Sequence, residues 1–334
     1  MMPRAPAAFS ERRFHAWARR HLPAGRVGLL PLGDDTAAVP IGDAVALLTT
    51  DAFVEGSHFL RPSPPVAVGR ALAAANLSDI AAKGGTPIAL LLDLLLPPLE
   101  PAAWPKRVSE GAEAEMARAG GHLVGGDTKS SPHRALVGTV LAVGSRRHLA
   151  PRTGARAGDL LVTTGTVGRG GAAALTLPRR GTPGRAALLE MLAIHPRLAE
   201  GRALVRHARA MLDTSDGLAE AAHLLAEASR VRVVVEIPRI PWDPALLRRT
   251  TEGETRVHAG FYGGDYELLA SVPPRRWEAA ERAVRDAGGT LAIVGSVEHG
   301  RGAVQGTPAG SRAMLPRAGW DPFTGRRIAS DSPH

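Results

Sequence analysis

Residues 144–158 read GSRRHLAPRTGARAG. Glycine, arginine and proline crowd this stretch and no apolar period runs through it, so it reads as a connection between two folded units. The two flanks follow the same logic. Upstream, the apolar runs 43–50, 88–96 and 135–143 read as strands, and 66–82 and 101–119 as helices. Ser10 is suited to cap a further helix ending near His21. Downstream, 160–163, 231–237 and 291–295 read as strands, with helices over 183–193, 200–209, 218–228 and 276–287. Strands alternating with helices in both halves predict an α+β fold of α/β layers in two domains, 1–148 and 149–334.

The length of 334 residues suits two cores better than one. Hydrophobic residues make up 44% but aromatics only 4%, so Ala, Leu and Val must fill those cores. There is no cysteine, which excludes disulfides, zinc–thiolate sites and thiol nucleophiles, and fits a reducing cytoplasm. The net charge of +9 is spread through the chain rather than blocked, and no array of stacking aromatics accompanies it. That pattern favours attraction of small anions over nucleic-acid binding. No secretory signal is visible, and the most apolar run, 88–97, contains Asp93 and is too short to span a bilayer, so no membrane role is expected.

The carboxylates gather where the backbone is most permissive. Gly33-Asp34-Asp35, Thr49-Thr50-Asp51, Asn76-Leu77-Ser78-Asp79, Gly125-Gly126-Asp127-Thr128, Asp213-Thr214-Ser215-Asp216-Gly217 and Gly263-Gly264-Asp265 each join aspartate to glycine or a hydroxyl or amide side chain. Hard Mg²⁺ takes oxygen ligands and shares them among carboxylates, water and phosphates. Each stretch alone also fits a plainer role: an Asx turn for Asp34-Asp35, a helix cap for Thr49-Thr50-Asp51, a tight turn for Gly125–Thr128, a capping box for Asp213–Asp216 and a hairpin turn for Gly264-Asp265. Asn76, Ser78 and Asp79 are different, because they interrupt an Ala/Leu helix and are expensive to bury without a purpose. There is no P-loop, dinucleotide fingerprint or protein-kinase motif.

In order and spacing these motifs resemble the thiamine-monophosphate kinases, of the superfamily that includes aminoimidazole ribonucleotide synthetase and selenophosphate synthetase. The matching text is GDDTAAV (33–39), TTDAFVEGSHF (49–59), NLSDIAAKGG (76–85), GGDTKSSP (125–132), GDLLVTTGTVG (158–168), HPR (195–197), MLDTSDGLAEAAHLLAEAS (211–229), GGDYELL (263–269) and GWDPF (319–323). The resemblance implies an N-terminal domain that dimerises through its strands and a C-terminal α+β domain, with the active site between them. It implies Mg²⁺-dependent, in-line transfer of the ATP γ-phosphoryl to thiamine monophosphate in a cytoplasmic homodimer, without a covalent enzyme intermediate. Carried over by position, Asp35, Thr49, Thr50, Asp51, Asp79, Asp127, Asp213 and Asp216 would be metal ligands. Gly126, Asp127, Arg152 and Ser215 would touch ATP, and His58 and Trp320 would line the thiamine phosphate site.

The sequence departs from the family in three places. The family's Gly-Gly-Glu-Asp-Tyr-Glu is shortened to Gly263-Gly264-Asp265-Tyr266-Glu267, with Gly264 standing where a substrate-facing acid is usual. Lys129 falls one position early after Gly-Gly-Asp, and Arg169 replaces a common acid. Gly264 keeps a second reading open, an ATP-dependent relative with another small-molecule acceptor. A third is a non-catalytic nucleotide-binding protein, against which the full set of acids speaks. Selenophosphate synthetase and the hydrogenase-maturation relative are disfavoured because their characteristic cysteines are missing.

Overall fold

The computed structural model describes residues 11–22, 28–178, 180–251, 253–306, 312–317 and 319. Helix α1 spans Glu11–His21, and strands β1 (Ala37–Ile41) and β2 (Ala44–Val54) lead into helix α2 (Pro65–Ala82). Strand β3 (Thr86–Leu96), helix α3 (Ala103–Ala119) and strands β4 (His122–Gly125), β5 (Thr128–Ser130) and β6 (Ala135–Gly144) complete the first half. Its sheet runs β1-β2-β6-β3-β4, with β5 also on β3.

Helix α2 is apolar on nearly every side, as expected of a helix buried all round. It packs on β2 and β6 beside α3, which covers β3 and β4. Glycines bring α2 and α3 together: a Cβ on Gly69 would sit 1.9 Å from the Val108 carbonyl oxygen, and one on Gly111 would sit 2.1 Å from that of Val66.

The second half begins with β7 (Leu160–Thr164) and helices α4 (Arg169–Ala174), α5 (Arg185–Met191) and α6 (Leu198–Leu204). Strand β8 (Ala210–Asp213), helix α7 (Leu218–Ser229), β9 (Arg232–Glu236), α8 (Pro244–Arg249) and α9 (Glu254–Gly260) follow. Then come β10 (Leu268–Val272), α10 (Trp277–Asp286), β11 (Leu291–Glu298), β12 (Gly302–Gly306) and β13 (Arg312–Met314). The second sheet runs β13-β12-β9-β11-β7-β10-β8.

One face of this sheet packs on α7. The other packs on α6 and α10, and also on Ala81 and Ala82 of α2. The end of α2 is therefore shared between the two halves. Gly201 makes the contact close, since its Cβ would meet the Ala81 carbonyl oxygen at 2.1 Å.

The two mixed sheets with their helices are the α+β layers expected from sequence. Three details differ. Strand β2 continues to Val54, because Ala52-Phe53-Val54 keep up the alternation beyond Asp51. Gly125–Thr128 is not a tight turn: both Gly125 and Thr128 stay in parallel register with β3, at Leu91 and Leu94. Gly264-Asp265 is not a hairpin turn, because β10 pairs with β7 and β8 rather than with a neighbour in sequence. Strand β1, which contains Pro40, sits at a sheet edge, where a residue lacking N–H is tolerated. No described helix is long and apolar enough to cross a membrane.

Candidate active site

Three carboxylates meet where α2 reaches the second sheet. The oxygens of Asp35, Asp79 and Asp213 lie within 4.8 Å of one another. Each comes from a different element: the glycine-led turn before β1, the last turn of α2, and the end of β8. Asp213 and Asp35 are buried and Asp79 is nearly so.

Hydroxyls orient this group. The Thr49 hydroxyl donates to Asp79 Oδ2 at 2.5 Å. The Ser78 hydroxyl donates to Asp213 Oδ2 at 2.8 Å, and that of Ser215 to Asp213 Oδ1 at 2.9 Å. Asp51, two residues beyond Thr49, shares its face of β2 and adds a fourth charge.

The electrostatics split the cluster in two. Burial, then the charges of Asp51, Asp213 and Asp35, push Asp79 well above the usual carboxylate range. Burial and Asp213 raise Asp51 to about 7, and burial and Asp35 raise Asp213. Asp35 goes the other way: burial is outweighed by Arg152 and Lys83, which hold it far below the usual range. Buried acids that repel one another while their hydroxyl donors hold them in place form a hard-oxygen donor set, and it fits a divalent cation such as Mg²⁺.

Arg152 extends the site. Its guanidinium donates to Asp35 Oδ1 at 2.7 Å and to the Gly33 carbonyl at 2.9 Å, and its backbone N–H donates to Asp34. A small recess beside it is lined by Asp213, Ser215, exposed Asp216 and Gly217. The Gly217 turn is tied to the 261–264 loop: the Gly264 N–H donates to the Ser215 carbonyl at 2.7 Å. A Cβ on Gly217 would lie 2.4 Å from the Phe261 carbonyl oxygen.

Other sequence candidates stand apart. Sheet alternation sends Thr50 to the face opposite Thr49 and Asp51, where its hydroxyl donates to the Gly138 carbonyl at 3.1 Å and meets Thr139. Its side chain does not join the acids. Asp127 is exposed and paired with Lys129 Nζ at 2.8 Å. Gly126 is fixed by packing, since a Cβ there would meet the Leu92 carbonyl oxygen at 1.8 Å. His58 stacks on Phe53, accepts the Val54 N–H at Nδ1, and has its pKa lowered by burial. Asn76 turns to β6: its amide donates to the Leu72 carbonyl, and a Cβ on Gly138 would sit 2.7 Å from Asn76 Nδ2. Trp320 and Ser10 lie outside the described residues.

Sequence reasoning missed Lys83, read as part of a helix end, and Tyr266. Tyr266 adopts a left-handed φ of 56° and packs against the first core. Burial, then Asp51, Asp213, Asp216 and Asp79, raise its phenol pKa well above the usual value. A polar ring one residue from an aspartate in the GGDYE stretch was the available signal.

Comparison with known proteins shows the family. Residues 33–145 match the family described as AIR synthase related protein, N-terminal domain, and residues 156–306 its C-terminal domain. A thiamine-monophosphate kinase of Halobacterium salinarum is 38% identical over 270 residues, covering 81% of this chain and 89% of the relative. The chain belongs to the thiamine-monophosphate kinase family. Members are phosphotransferases.

The thiamine-monophosphate kinase of Caulobacter vibrioides is 32% identical across 95% of this chain and 92% of its own. Among solved structures, AaThiL complexed with AMPPCP and TMP superposes with a TM-score of 0.75 at 30% identity, covering 86% of this chain and 90% of that one. Protein tt0281 of Thermus thermophilus superposes at 0.80 with 32% identity, covering 92% and 98%. Hydrogenase maturation protein HypE in complex with ATP, at 18% identity and a TM-score of 0.65 over 84% of this chain and 87% of its own, shares the fold. Gly264, one of the three departures expected from the sequence, has a backbone that suits glycine. Its φ is +81°, and a Cβ would press on Gly170 Cα at 3.3 Å.

Proposed function

We propose that this kinase transfers the γ-phosphoryl group of ATP to thiamine monophosphate, giving thiamine diphosphate, in one in-line step without a covalent enzyme intermediate. The observation that carries the reading is the Asp35–Asp79–Asp213 group, assembled from both halves in a chain of this family. Asp35, Asp79 and Asp213, with Asp51, Asp216, Asp127 and the hydroxyl of Thr49, would hold Mg²⁺. The bound ions would neutralise charge on the transferred group. Thr50 reaches such a site only through neighbouring residues.

The chain's own work is positioning. Arg152, Ser215, Gly126 and Asp127 are suited to the nucleotide, with Arg152 held ready by Asp35 and Gly33. His58 and Trp320 are assigned to the acceptor. In this reading residues 1–148 bind ATP and metal and dimerise, residues 149–334 complete the cleft, and the enzyme works in the cytoplasm. An open apolar face of the first sheet supports the homodimer: Leu48, Leu91 and Val143 are exposed on the side away from α2.

The direct test is ATP, Mg²⁺ and thiamine monophosphate with the protein, following thiamine diphosphate by chromatography. Product that disappears with EDTA is expected. ATP binding without that product would move the assignment to another acceptor, the reading that Gly264 keeps open.

A further inference from the structure

Lys83 follows the last turn of α2 with its side chain wholly shut off from solvent. Its Nζ stands 2.7 Å from Asp34 Oδ1 and 2.6 Å from Asp35 Oδ2. It also donates to the carbonyl oxygens of Ala150 at 3.0 Å and Met211 at 2.7 Å. An ammonium group has three protons, yet four oxygens surround it. Two carboxylates and two carbonyls pointing at one centre form the kind of oxygen shell that replaces a bare cation's hydration.

The shell is built from afar. Its oxygens come from the turn before β1, the connection between the halves, and β8. The lysine's own backbone is locked. A Cβ on Gly84 would sit 2.6 Å from the Val205 side chain, and one on Gly85 would sit 2.7 Å from that of Leu47. A buried charge is costly unless paired, and here all its partners are supplied by segments distant in sequence.

We propose that Lys83 is a tethered cation: its ammonium fills an oxygen-lined cation site at the junction of the two halves, and a small free monovalent cation occupies that site when the side chain is cut back. Because Asp35 also belongs to the carboxylate group, the tether fixes one ligand oxygen of the active site before any metal arrives. Lys83 is thus a positioning residue. The proposal does not depend on which acceptor the enzyme uses.

The test is thermal unfolding of the full chain in EDTA, without nucleotide, at one ionic strength of tetramethylammonium, potassium or ammonium chloride. Lys83→Ala opens the cavity. Its Tm is expected to fall by roughly 10 °C in tetramethylammonium. Potassium or ammonium should restore most of that loss with a saturable concentration dependence. Lys83→Met fills the space without charge, so its Tm should stay low in every salt, and wild type should not distinguish the three. A Lys83→Ala protein that behaves alike in all three salts, including one that folds in none, overturns the proposal. So does a Lys83→Met protein as stable as wild type, since the four oxygens would then need no cation.

Discussion

Ser78 and Asp213 join the two halves of the molecule by one short hydrogen bond, 2.8 Å from Oγ to Oδ2. Both side chains are buried. The donor sits on α2 and the acceptor ends β8, so the bond aims a carboxylate of the second half at those of the first. Ser78→Ala removes one of the two hydroxyls that steady Asp213 and leaves Ser215. Loss of such a supporting donor lowers metal affinity by about 10–100-fold. Titration of the variant with Mn²⁺, followed by EPR, should show that loss; an unchanged affinity would mean that Ser215 alone orients Asp213.

Asp79→Asn should separate stability from function. The acid is crowded by Asp51, Asp213 and Asp35, and its ionised form is disfavoured in the folded state. The amide removes that repulsion and can still accept the Thr49 hydroxyl. In EDTA the variant's Tm should therefore match or exceed that of wild type. The rise in Tm on adding Mg²⁺ should shrink, and turnover should fall by orders of magnitude. A wild-type response to Mg²⁺ would remove Asp79 from the metal site.

The aspartates are legible in sequence because glycine and hydroxyl neighbours are rare company for six aspartate-bearing stretches in an otherwise Ala/Leu-rich chain. Their separation is not. Thr49, Thr50 and Asp51 look like one unit as long as the strand ends there. Once β2 runs on to Val54, alternation puts Thr50 on the other face. Lys83 was illegible for a different reason. Lys-Gly-Gly is an ordinary way to end a helix, and nothing local announces four oxygens from residues 34, 35, 150 and 211. Gly264 is legible in sequence, but its left-handed backbone and its close approach to Gly170 are not.

Glu267 should matter for stability rather than chemistry. It is buried, accepts the Thr164 hydroxyl at 2.7 Å and pairs with Arg197 through both carboxylate oxygens. Glu267→Ala leaves a half-buried guanidinium with only its longer pairing to Glu200 at 3.6 Å, a loss of about 1–3 kcal/mol. Urea unfolding should show a lower midpoint at similar slope. Glu267→Gln, which keeps the shape and one acceptor, should lose less; equal losses would place the effect in the charge alone instead of in packing.

Acid should weaken the fold through His223. Burial lowers its pKa from the ordinary 6.5, outweighing its bond from Nε2 to the Leu315 carbonyl at 3.0 Å. The folded state therefore prefers the neutral ring. Stability from this residue is complete above pH 6.5 and declines as pH falls from there towards the lowered folded value. His58, His195 and His207 are shifted the same way, each chiefly by burial. His223→Gln keeps a donor without a titrating group, so its Tm should fall less than that of wild type between pH 7 and pH 5. Parallel curves would absolve His223.

Asp127 offers the sharpest contrast with Asp79. It has the glycine-led context of the other acids, yet it is exposed and held by Lys129 rather than by the cluster. Lys129 and the Thr128 N–H lower its pKa, so it stays ionised where Asp51, Asp79 and Asp213 resist ionisation. An isolated, solvated carboxylate holds a divalent ion weakly until a second ligand set, such as a polyphosphate, is present. Asp127→Asn should thus leave Tm in EDTA and the Mg²⁺-induced shift unchanged without nucleotide. With ATP present, the variant should lose both the added stabilisation and most turnover. If Asp127→Asn already abolishes the Mg²⁺ shift of the nucleotide-free protein, Asp127 belongs with Asp79 and Asp213, and its loop must close on them before ATP binds.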